Sequence, residues 1–118
     1  MDIAAATEEN DPNGKLHKQG GYTAQVYFSS DLVEQSQVPG SSITDKGTDC
    51  GGSIEVYRTA EEAQKRETYL ATFDGTIFAS GSHRVIGAVL IRTSDNLTAS
   101  QQRELEAAIL AVLTAVDE

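Results

Sequence analysis

The chain offers one cysteine and two histidines as groups for nucleophilic or general-base chemistry. Cys50 lies in the run 49–52, where two following glycines would leave the sulfur and nearby backbone N–H groups accessible. His83 is the candidate base, because His17 belongs to the N-terminal segment. A cysteine nucleophile needs a base within hydrogen-bond reach and a third group that orients the base, a role open to Asp45 or Asp49. One hypothesis is therefore a small cysteine-dependent enzyme that uses Cys50 and His83.

The simpler interpretation of Cys50 is a passive side chain in a loop. No known catalytic cysteine signature surrounds it, and a single cysteine excludes an intrachain disulfide. One cysteine and two distant histidines do not make a tetrahedral metal site without carboxylates. The sequence therefore predicts no catalytic residue with any specificity and no metal site.

A calcium loop is the one metal motif that the N-terminal segment partly matches. Four residues stand at the first, third, fifth and sixth places of an EF-hand frame, namely Glu9, Asp11, Asn13 and Gly14. The twelfth place holds Gly20, where calcium requires a bidentate glutamate. We interpret this stretch as an Asp-Pro-Asn-Gly turn and expect no cofactor.

Composition narrows the range of partners. The chain has 118 residues and a formal net charge of −9, from 18 acidic and 9 basic side chains. Such a protein repels phosphate backbones and anionic lipid headgroups, so nucleic acid and membrane surfaces are not expected partners. No run of about 18 apolar residues is present to cross a membrane. The length fits one domain, and the absence of Trp predicts an aliphatic core.

The first part of the chain divides into a leader, a strand and a long loop. Residues 1–21 are polar and without period, which is typical of a flexible leader or linker, so we expect a single domain over residues 22–118. Alternation from Tyr22 to Phe28 predicts the first strand. The polar stretch Ser29 to Gly52 follows as a loop, relieved by a short helix around Ser30 to Gln37.

The rest of the chain predicts two strands and two helices. Ser53 to Arg58 alternates as a second strand, and a capping box at Thr59 opens a helix that stops at Asp74-Gly75. Arg84 to Arg92 is apolar on both faces, as in a central strand. A second capping box at Thr98 opens a final amphipathic helix that runs to about Val116.

These elements predict an α+β, two-layer domain with the order β-loop-β-α-β-α. A right-handed crossover would make the second and third strands parallel, in a small mixed sheet of about three strands with both helices on one face. The other face would then be open. It would present Tyr27, Glu55 and Tyr57, which we take as the candidate binding residues.

The part of the chain from about residue 45 to about residue 116 resembles an uncharacterised domain of secreted proteins and lipoproteins from Gram-positive bacteria. The matching features are a Gly-Gly-strand segment at 51–57 followed by a helix of the Ala-Glu-Glu-Ala-Gln-Lys-Arg type, and a strand at 87–94 before a helix that opens with Leu-Thr-x-x-Gln at 97–101. The resemblance implies a cell-envelope location, with residues 1–21 as the tether after a removed signal or lipid-anchored cysteine. It brings no catalytic residue with it.

Together these observations favour a non-catalytic binding or interaction domain, outside the cell or attached to its surface, that meets a protein or a small ligand. The open sheet face and the loop 29–52 are the expected contact surfaces. The alternatives are the cysteine-dependent enzyme and a structural spacer, and the residues do not exclude a cytoplasmic protein.

Overall fold

Five antiparallel strands form the sheet that organises the described part of the molecule. The computed structural model describes residues 3–11, 14–18, 21–40, 42–74 and 81–116, without the side chains of 45 and 112–116. The strand order across the sheet is β1-β2-β3-β5-β4, and every pairing between neighbours is antiparallel. The strands are β1 (Ile3–Ala5), β2 (Ala24–Ser29), β3 (Gly51–Val56), β4 (His83–Ile86) and β5 (Val89–Thr93).

Three α-helices accompany the sheet in the described residues. They are α1 (Ile43–Lys46), α2 (Ala60–Ala71) and α3 (Ala99–Val116), with 3₁₀ turns at Gln35–Gln37 and Gly47–Cys50. The α+β class is thus confirmed, but the expected mixed sheet of about three strands is wrong. The predicted helix around 30–37 is reduced to the first of the two 3₁₀ turns.

The predicted central strand 84–92 is in fact a hairpin. Its two strands, β4 and β5, are joined by Gly87 and Ala88, and Ile86 pairs with Val89. Gly87 has a φ of 58°, while Ala88 is not among the positive-φ residues, as in a type II′ turn. The apolar run therefore folds back on itself, and β5 lies antiparallel to β3 instead of parallel.

The N-terminal segment belongs to the domain, contrary to the expected flexible leader. Strand β1 pairs with β2, with Ala4 opposite Tyr27. Leu16 is buried in a core cluster that includes Tyr22 and Tyr57. Asp11 holds the segment in place because its carboxylate accepts hydrogen bonds from the backbone N–H of residues 15 and 16 and from the hydroxyl of Tyr22.

Both predicted helix starts are present, the first as an N-cap at Thr59 without the return bond from Glu62 and the second as a full capping box at Thr98. The hydroxyl oxygen of Thr59 accepts a hydrogen bond from the N–H of Glu62, 3.1 Å away. At α3 the arrangement is reciprocal: the Thr98 N–H donates to Gln101 Oε1 at 2.9 Å, and the Gln101 N–H donates to Thr98 Oγ1 at 3.2 Å. These local bonds satisfy N–H groups that have no partner inside the helix.

The two long helices lie on opposite faces of the sheet, not on one face. Side chains alternate along each strand, so each face of the sheet carries its own set of side chains. The polar face carries Gln25, Tyr27, Ser53, Glu55, Leu90 and Arg92. The apolar face carries Val26, Phe28, Ile54, Val56, Arg84 and Ile91. Helix α2 packs on the polar face, where Ala63 and Leu70 join Leu90 in the core. Helix α3 packs against β5, and its Glu106 pairs with Arg84 on the apolar face. The architecture therefore has three layers.

Two glycines provide a test of the sheet, because they are required for different reasons. A Cβ on Gly52 would lie 2.5 Å from both the Arg92 carbonyl oxygen and the Phe28 ring, whereas a Cβ on Gly87 would meet nothing within 4 Å. We expect Gly52→Ala to lower the free energy of unfolding by about 3 kcal/mol through overpacking. Gly87→Ala should cost about 1 kcal/mol, through its left-handed φ alone.

Urea unfolding followed by circular dichroism measures both differences. An equal and small cost at the two positions would contradict the close approach of β2 and β5 to Gly52.

Candidate functional site

The polar face of the sheet buries an unusual number of polar side chains. Gln25, Ser53 and Glu55 are each 2% exposed or less, although side chains of these types mostly lie at protein surfaces. The strand register brings them together: Gln25 lies opposite Glu55, and Ser53 lies opposite Arg92. The centre of this face is therefore a polar cluster under α2.

Glu55 is the focus of the cluster. Its carboxylate accepts a short hydrogen bond from the Tyr57 hydroxyl and another from Arg92 Nη1 at 3.1 Å. A second guanidinium, that of Arg66 on α2, lies with its Nε 3.8 Å from Glu55 Oε1. One fully buried carboxylate thus stands between two arginines and fastens α2 to the sheet.

Several buried atoms of the cluster have no hydrogen-bond partner among the described residues. Both amide atoms of Gln25 are without one, and so are Arg66 Nε and Arg92 Nε. Buried polar atoms are normally paired, so this interior loses free energy relative to a fully paired one. The ionic cluster therefore specifies the position of α2 more than it adds net stability.

The candidate binding residues lie on one face, as expected, but that face is covered. Tyr27 and Glu55 are fully buried and Tyr57 nearly so, because α2 and the N-terminal segment pack over them. Burial, and secondly the negative charge of Asp11, raises the pKa of Tyr27 well above its ordinary value. Burial and the Glu55 carboxylate do the same for the pKa of Tyr57. The expectation of an open aromatic and acidic face is wrong.

Cys50 is buried at the end of the 3₁₀ turn Gly47–Cys50. Its thiol lies 3.3 Å from the Gly47 carbonyl oxygen and 3.4 Å from that of Phe28, and can donate to either. Burial raises the pKa of the thiol. Because the thiolate is the nucleophilic form, this environment disfavours the reactivity that an enzyme would need.

His83 and Asp49 belong to other networks. His83 Nδ1 lies 2.9 Å from Glu67 Oε1 and its Nε2 lies 3.0 Å from Asp74 Oδ2, so the ring joins β4 to α2 and the turn after it. The side chain of Asp45, the other candidate orienting group, lies outside the described residues. The backbone carbonyl of Asp49 accepts from the side chains of Ser94 and Asn96. In the described part of the chain no hydrogen bond or ion pair joins Cys50, His83 and Asp49 to one another.

The described residues of the calcium motif are not arranged as a calcium site. The Asp11 carboxylate is engaged by two backbone N–H groups and by Tyr22, while Asn13 and Gly20 lie outside the described residues. Within the described ranges, no group of three or more His, Cys, Asp or Glu side chains is placed to hold a metal ion.

The outer edge of β1 is the remaining candidate for recognition. The Ala6 N–H donates to the Gln25 carbonyl at 2.8 Å, and in an antiparallel pair alternate residues bond to the neighbouring strand. The backbone groups of Ala4 thus face β2, and those of Ile3 and Ala5 face outward. The Ile3 side chain is 70% exposed, and β1 contains no charge and no proline.

The other edge of the sheet is different. Strand β4 carries His83, which is bound to α2 and the turn after it, and Arg84, which is paired with Glu106 of α3 at 3.6 Å. Helix α2 also packs against β4. Helix α1 also packs against β1, but the strand itself carries no charged side chain and Ile3 stays exposed. Natural sheets protect their edges with charged side chains and packed elements, so β1 is the less protected edge.

Comparisons of the chain with protein-family models, with curated proteins and with solved structures found no match. None of the helices in the described residues is long and apolar enough to cross a membrane.

The role of Glu55 can be tested by removing its carboxylate. Glu55→Leu leaves two largely buried guanidinium groups without their counter-ion, and we expect it to lower the free energy of unfolding by about 3–5 kcal/mol. The matched control is Glu61→Leu, which removes an exposed pair with Lys65 on the outside of α2 and should change stability by less than about 0.5 kcal/mol. Chemical denaturation measures both, and similar costs would contradict a special role for Glu55.

The buried tyrosines predict a loss of stability at high pH. Because the pKa of Tyr27 and that of Tyr57 are higher in the folded state, their stabilising contribution is complete below the ordinary tyrosine pKa of about 10 and is lost above it. We expect the free energy of unfolding to fall by roughly 1.4 kcal/mol per pH unit for each of the two, once the pH exceeds about 10.

Urea unfolding between pH 8 and 11.5, with tyrosinate absorbance at 295 nm, measures this dependence. Tyr27→Phe should reduce the slope, and Tyr69→Phe on the exposed side of α2 is the matched control. A slope that Tyr27→Phe leaves unchanged would contradict the assignment.

Proposed function

We propose that this domain is a non-catalytic interaction module that recognises a protein partner through the open edge of β1. The observation that carries the proposal is the contrast between the two sheet edges. The β1 edge offers the backbone groups of Ile3 and Ala5 and an exposed aliphatic side chain, whereas β4 is occupied by the contacts of His83 with carboxylates, by the ion pair of Arg84 and by α2. Strand addition at such an edge is a common mode of protein recognition.

The environment of Cys50 supports a non-catalytic role over the cysteine-dependent enzyme. Its thiol is buried against backbone carbonyl groups, and its pKa is raised instead of lowered. Both ring nitrogens of His83 are engaged by carboxylates of α2 and the following turn. A mechanism that used the pair would first have to break both arrangements.

The proposed location is the cell envelope, outside the cell or attached to its surface. This part of the proposal rests on the resemblance of roughly residues 45–116 to the domain of secreted proteins and lipoproteins. It is compatible with an acidic chain that contains a single, buried cysteine. A partner at the cell surface would reach β1 along its outer edge, on the side away from β2.

Site-specific photo-crosslinking in cells that produce the protein tests the proposal. A benzoylphenylalanine at Ala5 should give one or a few discrete adducts, because the position lies at the exposed edge of β1. The matched control places the same residue at Gln64, on the exposed side of α2. Adducts of equal yield from both positions, or none from Ala5, would contradict recognition by this edge.

A further inference from the structure

The partner that best fits the β1 edge is a second copy of the same chain. We infer that two copies pair β1 to β1 across a two-fold axis that passes beside Ala4, which joins their sheets into one continuous sheet. This inference rests on the proposed function, because it names the partner of the edge described there.

The backbone groups of the edge are self-complementary. Ile3 and Ala5 both point their N–H and C=O groups away from β2, with Ala4 between them. In an antiparallel pair centred on Ala4, Ile3 of one copy lies opposite Ala5 of the other, and the reverse holds by symmetry. Both pairs then consist of outward-facing residues, so each closes two N–H to O=C hydrogen bonds.

The side chains agree with this register. Ile3 and Ala5 both project to the apolar face, since they pair with Phe28 and Val26. In the two-fold pair the exposed Ile3 of one copy would pack against Ala5 of the other, and the two Ile3 side chains would be diagonal neighbours. No charged side chain of β1 is brought against its own copy, because the strand has none.

The net charge sets the conditions under which the pair forms. Each copy carries a formal charge of −9, so two copies repel each other at low ionic strength. The contact itself consists of backbone hydrogen bonds and aliphatic side chains, which salt does not screen. Dimer formation should therefore strengthen as salt is added, whereas a contact built on ion pairs would weaken.

Sedimentation equilibrium of the purified full chain tests the inference. We expect a species of twice the 12.6 kDa chain mass, with a dissociation constant on the order of 10⁻⁴ M for so small a contact, decreasing between 20 and 500 mM NaCl. Ala5→Pro removes an outward N–H without removing a bond to β2, and should raise the dissociation constant about ten-fold or more.

A second pair of variants distinguishes loss of the dimer contact from a folding defect caused by Ala5→Pro. Ile3→Asp places a charge on the edge and should weaken the dimer by a similar factor. Leu32→Asp changes the net charge equally at another exposed aliphatic position, 62% exposed and outside β1, and should leave the dimer as it is. Circular dichroism of each variant at 25 °C verifies that the fold is retained.

The outcomes separate this inference from the proposed function. A chain that stays monomeric at millimolar concentration in 500 mM NaCl, or a dimer that both edge variants leave intact, overturns pairing through β1. If the chain is monomeric while Ala5 still gives crosslinked adducts in cells to a different protein, the second-copy inference fails and the interaction module stands. If neither self-association nor adducts are found, both fail.

Discussion

The position of α2 depends on one buried carboxylate. Glu55 lies at the centre of the sheet and accepts from Tyr57 and Arg92 on the sheet, while Arg66 reaches it from the helix. Removing Glu55 would leave both guanidinium groups largely buried without their counter-ion, so the placement of both arginines depends on this carboxylate. His83 adds a second polar attachment, to Glu67 in α2 and to Asp74 in the turn after the helix. The layer between α2 and the sheet is thus joined by charges as much as by apolar contact.

This buried polar layer explains which parts of the fold could be predicted from the sequence and which could not. Helix starts at Thr59 and Thr98 were predictable, because a capping box is a bond between residues three apart. Strands β2 and β3 were predictable to within about two residues from alternation. The direction of alternation was misleading, since polar side chains normally mark the solvent face and here they mark the interior. Glu55 and Arg92 are 37 residues apart, and no local pattern shows that they neutralise each other.

Two further differences between the predicted and the observed strands have local causes. The hairpin of β4 and β5 depends on a single glycine with positive φ, and a glycine within an apolar run is equally consistent with a bulge in one long strand. Strand β1 is three residues long, too short to show a period, and its segment is held by side-chain bonds to Asp11 instead of by apolar spacing. Of the candidate site, only the shared face of Tyr27, Glu55 and Tyr57 was foreseeable. The burial of that face was not foreseeable, because part of its cover is the N-terminal segment, whose composition is typical of a flexible leader.

The order of the strands in the sheet also bears on how the domain folds. The β4–β5 pair is closed by a two-residue turn, so it is the most local contact in the sheet and is expected to form early. Strand β1 meets β2 across a loop of some twenty residues and has only one neighbour. Local unfolding should therefore release β1 at a lower free energy than the other strands. An edge that recognises a partner would then be the least stable strand of the domain when free, and binding would couple recognition to the completion of folding.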